Sequence, residues 1–221
     1  MDSLSRKERE KLNRRAEIIN AAERVFFQKG YETATMDDLA KEAEFSKKTL
    51  YVYFSSKEQI RFEIMLRGYK LLLDMLEADD PDPSPNAVEQ LRQMGERLFA
   101  FSNQHASYFE LIIHYENGER DFDHGVPEQS RDESYELGEK VLGHLVEHLR
   151  NGQEQGSIRR DLEPLNIALT LWASILGIFK TAKVKRRYLL HYHRVETEAF
   201  LASSYDLLLS ALQPGLGGEQ G

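Results

Sequence analysis

Apolar residues recur at helical spacing along nearly all of this chain, and the apolar–polar alternation of a β-strand is missing. In the first such segment Ile18, Ala22 and Phe26 lie four residues apart, and Gly30 marks its end. Because helices and strands have different periods, this spacing predicts an all-α fold of about nine helices. Three prolines within residues 81–85 break the pattern and predict a linker.

The composition narrows the function classes. The 221 residues include no cysteine, which excludes a disulfide framework, thiolate metal sites and a cysteine nucleophile. The best apolar stretch, residues 167–179, is interrupted by Thr170 and Ser174, and the amino terminus has no apolar signal core. We therefore expect a cytoplasmic protein without a membrane partner.

Charge is distributed unevenly along the chain. Residues 1–61 hold 13 Lys and Arg against 11 Asp and Glu, whereas residues 62–221 hold 16 against 26. Basic residues crowd positions 6–15 and the neighbourhood of Lys47, Lys48 and Lys57. This pattern is typical of a head that binds a polyanion, carried on an acidic body. For residues 6–15 alone, a solvated helix start explains the charges equally well.

Two short helical segments, one ending near Ala43 and the other running from Lys47 to about Phe54, are separated by three residues, the spacing of a helix-turn-helix. Leu39, Ala40 and Ala43 face inward on the first segment, and Leu50 and Phe54 face inward on the second. The outward set of the second segment is basic, hydroxylic and aromatic: Lys47, Lys48, Thr49, Tyr51 and Tyr53. Such side chains reach phosphates and base edges.

The run Ser46-Lys47-Lys48-Thr49-Leu50-Tyr51-Val52-Tyr53-Phe54, followed by Ser56-Lys57-Glu58, resembles the amino-terminal domain of TetR-type transcriptional regulators. The resemblance covers about 50 residues closely and implies a helix-turn-helix domain with a basic arm over residues 1–56. It implies a helical effector-binding and dimerisation domain over residues 57–221.

The resemblance also implies which residues contact DNA: Thr35, Ser46, Lys47, Lys48, Thr49, Tyr51, Tyr53 and Lys57. Thr35 is expected to cap the second helix and to offer its hydroxyl to a phosphate. Lys57 is expected to bind phosphate at the start of the fourth helix. Glu44 occupies a turn position where the family usually has glycine, and we expect a left-handed backbone there.

Two sets of residues in the body are candidates for binding and assembly. Aromatic and methionine side chains at helical spacing indicate a pocket for a mainly apolar effector, although such residues are more often core: Phe62, Met65, Tyr69, Met94, Phe101, Tyr108, Phe109, Ile112 and Trp172. Two apolar helix faces predict a homodimer: Leu165, Leu169, Trp172, Ala173 and Leu176, with Ala202, Tyr205 and Leu209. The alternative is that both are core helices of a monomer.

The predicted function is a dimeric, ligand-responsive DNA-binding regulator, a repressor that an effector releases from a palindromic operator. We expect no cofactor, no metal and no enzyme activity. One competing motif is His144-x-x-Glu147-His148, which has the spacing of a zinc peptidase but lacks an identifiable third ligand. A helical protein–protein adaptor is the other alternative, and the basic outer face of residues 47–53 argues against it.

Overall fold

The computed structural model describes residues 5–78, 86–116 and 129–214, and these residues form helices without a strand. The α-helices are α1 (Arg6–Lys29), α2 (Met36–Glu42), α3 (Lys47–Tyr53), α4 (Lys57–Glu77), α5 (Ala87–Gln104), α6 (Ala106–Glu116), α7 (Gln129–Glu154), α8 (Pro164–Val184), α9 (Arg186–Tyr188) and α10 (Thr197–Ser210). A π-helical turn, Leu189–His193, follows α9. The predicted all-α fold is confirmed, while the predicted linker at residues 81–85 lies outside the described residues.

The chain packs as two compact units. Unit 1 comprises Met1–Leu72 and Gln104–Gly138, and unit 2 comprises Leu73–Asn103 and Glu139–Gly221. Helices α4 and α7 each contribute their first part to unit 1 and their last part to unit 2. This division follows packing, and the functional boundary between residues 56 and 57 stays a prediction.

The core of the amino-terminal helices in unit 1 consists of the residues that the periodicity selected. Ile18, Ala22 and Phe26 of α1 are buried, as are Leu39 and Ala40 of α2. Leu50 of α3 and Phe54 just after it are also buried. Since α2 and α3 are only seven residues long, tertiary burial of these apolar side chains stabilises them more than helix propensity does.

Unit 2 contains α8, whose first position is Pro164 and whose N-cap is Glu163. Its buried face consists of Ile167, Ala168, Leu171, Phe179 and Ala182. By length and composition α8 also qualifies as a candidate membrane span, a test that the core helix of a soluble protein passes as well.

The region between α8 and α10 is broken into short elements. After α8, the short helix α9 and the π-helical turn come first, and α10 begins at Thr197. Arg194 has φ 55°, a left-handed conformation that ends the π-helical turn. No glycine or proline marks this break in the sequence, so periodicity alone misses it.

Candidate nucleic-acid interface

Helix α2 starts at a reciprocal cap. Thr35 Oγ1 accepts from the Asp38 amide at 3.2 Å, and the Thr35 amide donates to Asp38 Oδ2 at 2.8 Å. Lys29 Nζ donates to the same carboxylate at 2.8 Å. Hydrogen bonds from Lys29 and Thr35 lower the pKa of Asp38. The cap predicted for Thr35 is thus present, and it joins the end of α1 to the start of α2.

The turn between α2 and α3 is a Schellman motif with Glu44 at its left-handed position. The Glu44 amide donates to the Lys41 carbonyl at 3.2 Å, and the Phe45 amide donates to the Ala40 carbonyl at 3.0 Å. Glu44 has φ 57°, a conformation that glycine adopts without strain and that costs other residues about 1 kcal/mol. The left-handed backbone expected at Glu44 is observed.

Helix α3 is fixed at both ends. Ser46 is its N-cap and accepts from the Thr49 amide at 3.0 Å, while the Ser46 and Thr49 hydroxyls lie 2.8 Å apart. At the other end, Leu50 and Phe54 are buried on the inner face. Because both anchors lie on one side, the other side of α3 faces solvent.

The exposed side of α3 carries most of the residues predicted to contact DNA. Lys47 and Lys48 are exposed, Tyr51 is 49% exposed, and Thr49 and Tyr53 are half-buried. Val52, which is 70% exposed, was missed because an apolar residue is normally assigned to the core. An exposed aliphatic side chain beside Tyr51 can contact the methyl group of thymine.

Lys47 already has a partner in its own chain. Its Nζ lies 2.8 Å from Asp37 Oδ2, and this hydrogen bond raises the pKa of Lys47. Both side chains are about half or more exposed, so the pair is weak and can exchange for a phosphate. Lys47 is therefore exposed but already paired with a carboxylate, and its contact with DNA stays a prediction.

Lys57 is bound by the backbone of the α1–α2 connection. Its Nζ donates to the carbonyl of Tyr31 at 2.8 Å and to that of Ala34 at 2.9 Å. The ammonium also lies 4.3 Å from the centre of the Tyr31 ring. These contacts attach the first turn of α4 to the segment before α2. The phosphate contact predicted for Lys57 stays a prediction.

The basic amino-terminal residues are helical. Residues 6–15 form the first turns of α1, which opens with a capping box between Ser5 and Glu8. Most of these residues are exposed, but Arg15 donates to Glu63 Oε1 at 2.6 Å. The segment is therefore helical and mostly exposed in the free chain, and its contact with DNA stays a prediction.

A ring cluster surrounds Arg61, a buried residue in α4 that the sequence did not single out. The guanidinium carbon lies 4.3 Å from the ring centre of Tyr31, 4.6 Å from that of Tyr115 and 5.6 Å from that of Phe62. Arg61 Nη2 donates to Glu58 at 2.8 Å, while Nε is buried without a partner. The cluster brings together the α1–α2 connection, α4 and α6.

The predicted effector residues fall into two groups. Unit 1 holds Phe62, Met65, Tyr69, Tyr108, Phe109 and Ile112, and unit 2 holds Met94, Phe101 and Trp172. Tyr69 donates to Glu116, and Tyr108 donates to Glu23 Oε2 at 2.8 Å. Burial and the Glu23 carboxylate raise the pKa of Tyr108 to about 12. In unit 2, Phe101 is buried, whereas Met94 and Trp172 are half-buried.

The predicted dimerisation residues also fall into two groups, one that is exposed or half-buried and one that is buried. Leu165, Leu169, Ala173 and Ala202 are exposed, and Trp172 and Leu176 are half-buried. Tyr205 and Leu209 are buried inside unit 2, where Tyr205 donates to the Gly95 carbonyl at 2.9 Å. Leu207, which is 72% exposed, projects from α10 instead. Exposed apolar side chains therefore remain on both α8 and α10.

The zinc-peptidase spacing does not form a metal cluster in the described part of the chain. His144 Nε2 lies 3.0 Å from Glu77 Oε1, and His148 is half-buried with Nδ1 lacking a partner. Burial lowers the pKa of His148. Within residues 5–78, 86–116 and 129–214, no group of three or more metal-ligating side chains is placed to hold an ion.

Comparison with known proteins identifies a family match in the amino-terminal part of the chain. Residues 18–64 match the family model of bacterial regulatory proteins of the tetR family. This range contains α2, the turn at Glu44 and all of α3. It therefore contains the exposed side chains of α3 described above.

Two curated relatives extend the match by different lengths. An uncharacterised helix-turn-helix regulator of Haemophilus influenzae is 28% identical over 46% of this chain and 54% of its own length. The transcriptional repressor DhaR of Mycobacterium sp. strain GP1 is 25% identical over 90% of this chain and 94% of its own length. The chain thus spans about half of the first protein and nearly all of the second.

A solved structure shares the fold. AibR, in complex with isovaleryl coenzyme A and operator DNA, superposes with a TM-score of 0.62 and 24% identity over 89% of this chain and 98% of that one. The family match, the geometry of α2 and α3 and the shared helical architecture all indicate the same helix-turn-helix domain. Residues 18–64 therefore form a helix-turn-helix domain of the kind found in bacterial regulatory proteins of the tetR family.

Proposed function

We propose that this regulator is a dimeric repressor that binds a palindromic operator through α3 and leaves it when an apolar effector binds. The observation that carries the proposal is the exposed side of α3, where Lys48, Tyr51 and Val52 face solvent while Leu50 and Phe54 anchor the helix. A short helix held in this way fits the major groove. Residues 1–56 form the DNA-binding domain, and residues 57–221 bind the effector and dimerise in the cytoplasm.

Two observations support a dimer. The outward faces of α8 and α10 expose Leu169 and Leu207, with the small residues Ala173 and Ala202 between bulky neighbours. Small residues allow helices from two copies to approach closely in a four-helix bundle. In addition, one recognition helix contacts one half-site, and two half-sites about 34 Å apart are the usual operator of such proteins.

The effector class rests on the aromatic side chains of the body and on AibR, whose structure contains isovaleryl coenzyme A. In unit 1, Phe62, Met65 and Ile112 are buried among tyrosines that donate to Glu116 and Glu23. This mixture of apolar side chains and a few polar groups suits an apolar ligand with a polar end. Isovaleryl coenzyme A and medium-chain acyl thioesters are therefore the first probes.

Release from DNA follows from linkage. A ligand that binds better to one conformation of the body shifts the population toward that conformation. Coupling free energies of about 1–3 kcal/mol change operator affinity about 5- to 150-fold. The cation and ring contacts that bind α4 to the α1–α2 connection provide a physical path for this coupling within unit 1.

The test is selection of bound fragments from random duplex DNA, followed by measurement of affinity for the recovered fragment. We expect a palindromic site, a stoichiometry of one dimer per site and a steep loss of affinity with salt, about 0.9 log unit per log salt for each phosphate contacted. The acyl thioester probes are then added at saturation. A monomer that selects no fragment at low salt would contradict the proposal, and a salt-indifferent protein partner would favour the adaptor.

A further inference from the structure

One stretch of unit 2 has a charge opposite to that of the whole chain. The chain carries a net charge of −8, with 37 Asp and Glu. None of these 37 lies between Pro164 and Val195, whereas the same stretch contains six cations, at positions 180, 183, 185, 186, 187 and 194. The cations concentrate in residues 184–194, which we call the basic-aromatic segment. An isolated basic surface on an acidic protein attracts anions.

The basic-aromatic segment also exposes apolar side chains. Val184, Tyr188 and Tyr192 follow one another at intervals of four residues from the end of α8 through α9 into the π-helical turn. Tyr192 is 74% exposed, and Val184, Tyr188 and Leu190 are exposed as well. In a helical backbone, residues four apart lie on the same face. Tyr188 and Tyr192 therefore form an aromatic stripe on one face, while Val184 lies before the break at Lys185, where φ −101° and ψ 9° end α8.

The rings of this stripe support one another at the surface. The centres of the Tyr188 and Tyr192 rings lie 5.4 Å apart, and the Tyr188 and His193 rings lie 5.1 Å apart. His193 Nε2 is 3.1 Å from the Tyr188 hydroxyl. These contacts hold the aromatic side chains in place although they face solvent, so less conformational entropy is lost when a partner covers them.

Cations border the stripe. Lys185, Arg186, Arg187 and Arg194 are all exposed. Arg186 and Arg187 belong to α9, and Arg194 ends the π-helical turn in its left-handed conformation. The surface thus combines four cations with four exposed apolar or aromatic side chains.

Three kinds of partner differ in how well they match this combination. A second copy facing the same segment would bring like charges together, which is unfavourable. A nucleic acid would pair with the cations but would leave the aliphatic side chains of Val184 and Leu190 without an apolar environment. An anionic bilayer satisfies both sets, because cations bind lipid phosphates while tyrosine and aliphatic side chains enter the boundary between headgroups and acyl chains.

Contrary to the expectation from the sequence that the protein has no membrane partner, we propose that residues 184–194 bind the surface of an anionic phospholipid membrane. In this mode the guanidinium and ammonium groups contact headgroup phosphates, and Tyr188 and Tyr192 enter the interface. The segment lies outside residues 18–64, which match the DNA-binding family model. The proposal is therefore independent of the operator site.

The experiment is flotation of the full chain with vesicles of phosphatidylcholine alone or with an equal amount of phosphatidylglycerol. We expect binding to the anionic vesicles at low salt and release at high salt, with little binding to the neutral vesicles. The triple variant Arg186→Gln/Arg187→Gln/Arg194→Gln should bind anionic vesicles about a hundredfold more weakly, from about fivefold for each cation removed. The matched control, Lys70→Gln/Lys140→Gln/Arg150→Gln, removes three exposed cations elsewhere and should retain wild-type binding.

A second variant tests the apolar contribution. Tyr188→Ser/Tyr192→Ser keeps every charge and should weaken binding to anionic vesicles about tenfold. Size-exclusion chromatography of each variant checks that its oligomeric state equals that of the wild type.

Several results would overturn the proposal. These are no vesicle binding at low salt, equal binding to neutral vesicles, and a triple variant that binds like its control. A change of oligomeric state in the variants would identify the segment as an interface between copies. A further contrary result is complete displacement of the vesicles by an unrelated DNA duplex, with the triple variant losing duplex binding as much as vesicle binding. That result would identify nucleic acid as the ligand of the segment.

Discussion

Lysines in α3 and at the start of α4 were assigned the same role from the sequence, yet the structure gives them different surroundings. Lys48 projects from α3 into solvent. Lys57, nine positions later, has its ammonium on the carbonyls of Tyr31 and Ala34 and beside the Tyr31 ring. The comparison shows that of two nearby lysines one can project into solvent while the other is bound by backbone carbonyls and stabilises the fold.

The largest effect is expected from the outward side of α3. Lys48→Ala/Tyr51→Ala should lower affinity for the selected operator fragment by at least about a hundredfold, because each change removes a contact from both half-sites. The free energy of unfolding should change little, since both side chains are exposed. Fluorescence anisotropy and urea unfolding measure the two quantities.

Lys140→Ala is the control for that variant, since it removes the same charge from an exposed position of α7. It should leave affinity nearly unchanged. If the α3 variant kept wild-type affinity, Lys48 and Tyr51 would not contact DNA, and the DNA-binding surface would have to lie elsewhere.

The next effect concerns Lys57 and is expected in stability. Lys57→Met keeps a long apolar stem and removes the ammonium, so the two carbonyl contacts and the contact with the Tyr31 ring are lost. We expect the free energy of unfolding to fall by about 2 kcal/mol, the size of a charge-assisted hydrogen-bond loss. Urea unfolding measures it, with Lys48→Met as the matched control. A stable Lys57→Met variant with strongly reduced operator affinity would instead show a direct phosphate contact.

A smaller effect, of opposite sign, is expected at the turn between α2 and α3. Glu44→Gly should raise the free energy of unfolding by up to about 1 kcal/mol, because glycine adopts φ 57° without the steric cost of a side chain. Glu147→Gly, the same change in the interior of α7, should lower it by about 1 kcal/mol. Thermal and urea unfolding of the two variants distinguish these signs, and a loss of stability in both would refute the strain at Glu44.

The smallest effect tests the intermediate case, Lys47, which is exposed but paired. Asp37→Asn removes the carboxylate 2.8 Å from Lys47 Nζ and should raise operator affinity about threefold at low salt. The gain should shrink as salt rises, because exposed charges are screened. Asp74→Asn, an exposed change in α4, is the control; equal gains in both variants would show a general charge effect.

Local sequence signals predicted much of the DNA-binding domain. The Thr35 cap, the Ser46 start of α3 and the buried positions Leu50 and Phe54 all follow from spacing of three or four residues. The left-handed backbone at Glu44 was also anticipated, because the resemblance placed a glycine there. These features depend on neighbours in the chain, and such neighbours are visible in the sequence.

Contacts between distant residues were not predictable in the same way. Lys57 meets carbonyls 23 and 26 positions away, and Arg61 is surrounded by rings from three segments. Tyr205 and Leu209 of α10 were assigned to the dimer together with Ala202, and the structure buries the first two inside unit 2 while Ala202 is exposed. Val52 was missed for the reverse reason, since an exposed valine gives no signal of its own.

The ring cluster around Arg61 has a mechanical consequence for unit 1. The Arg61 guanidinium contacts the ring of Tyr115 in α6 and the ring of Tyr31 in the connection between α1 and α2. It therefore links these two segments. With Nε already lacking a partner, withdrawal of either ring leaves a buried cation poorly compensated. A small outward displacement of α6 is therefore resisted as strongly as a displacement of the segment that leads into α2, and the two elements tend to move together.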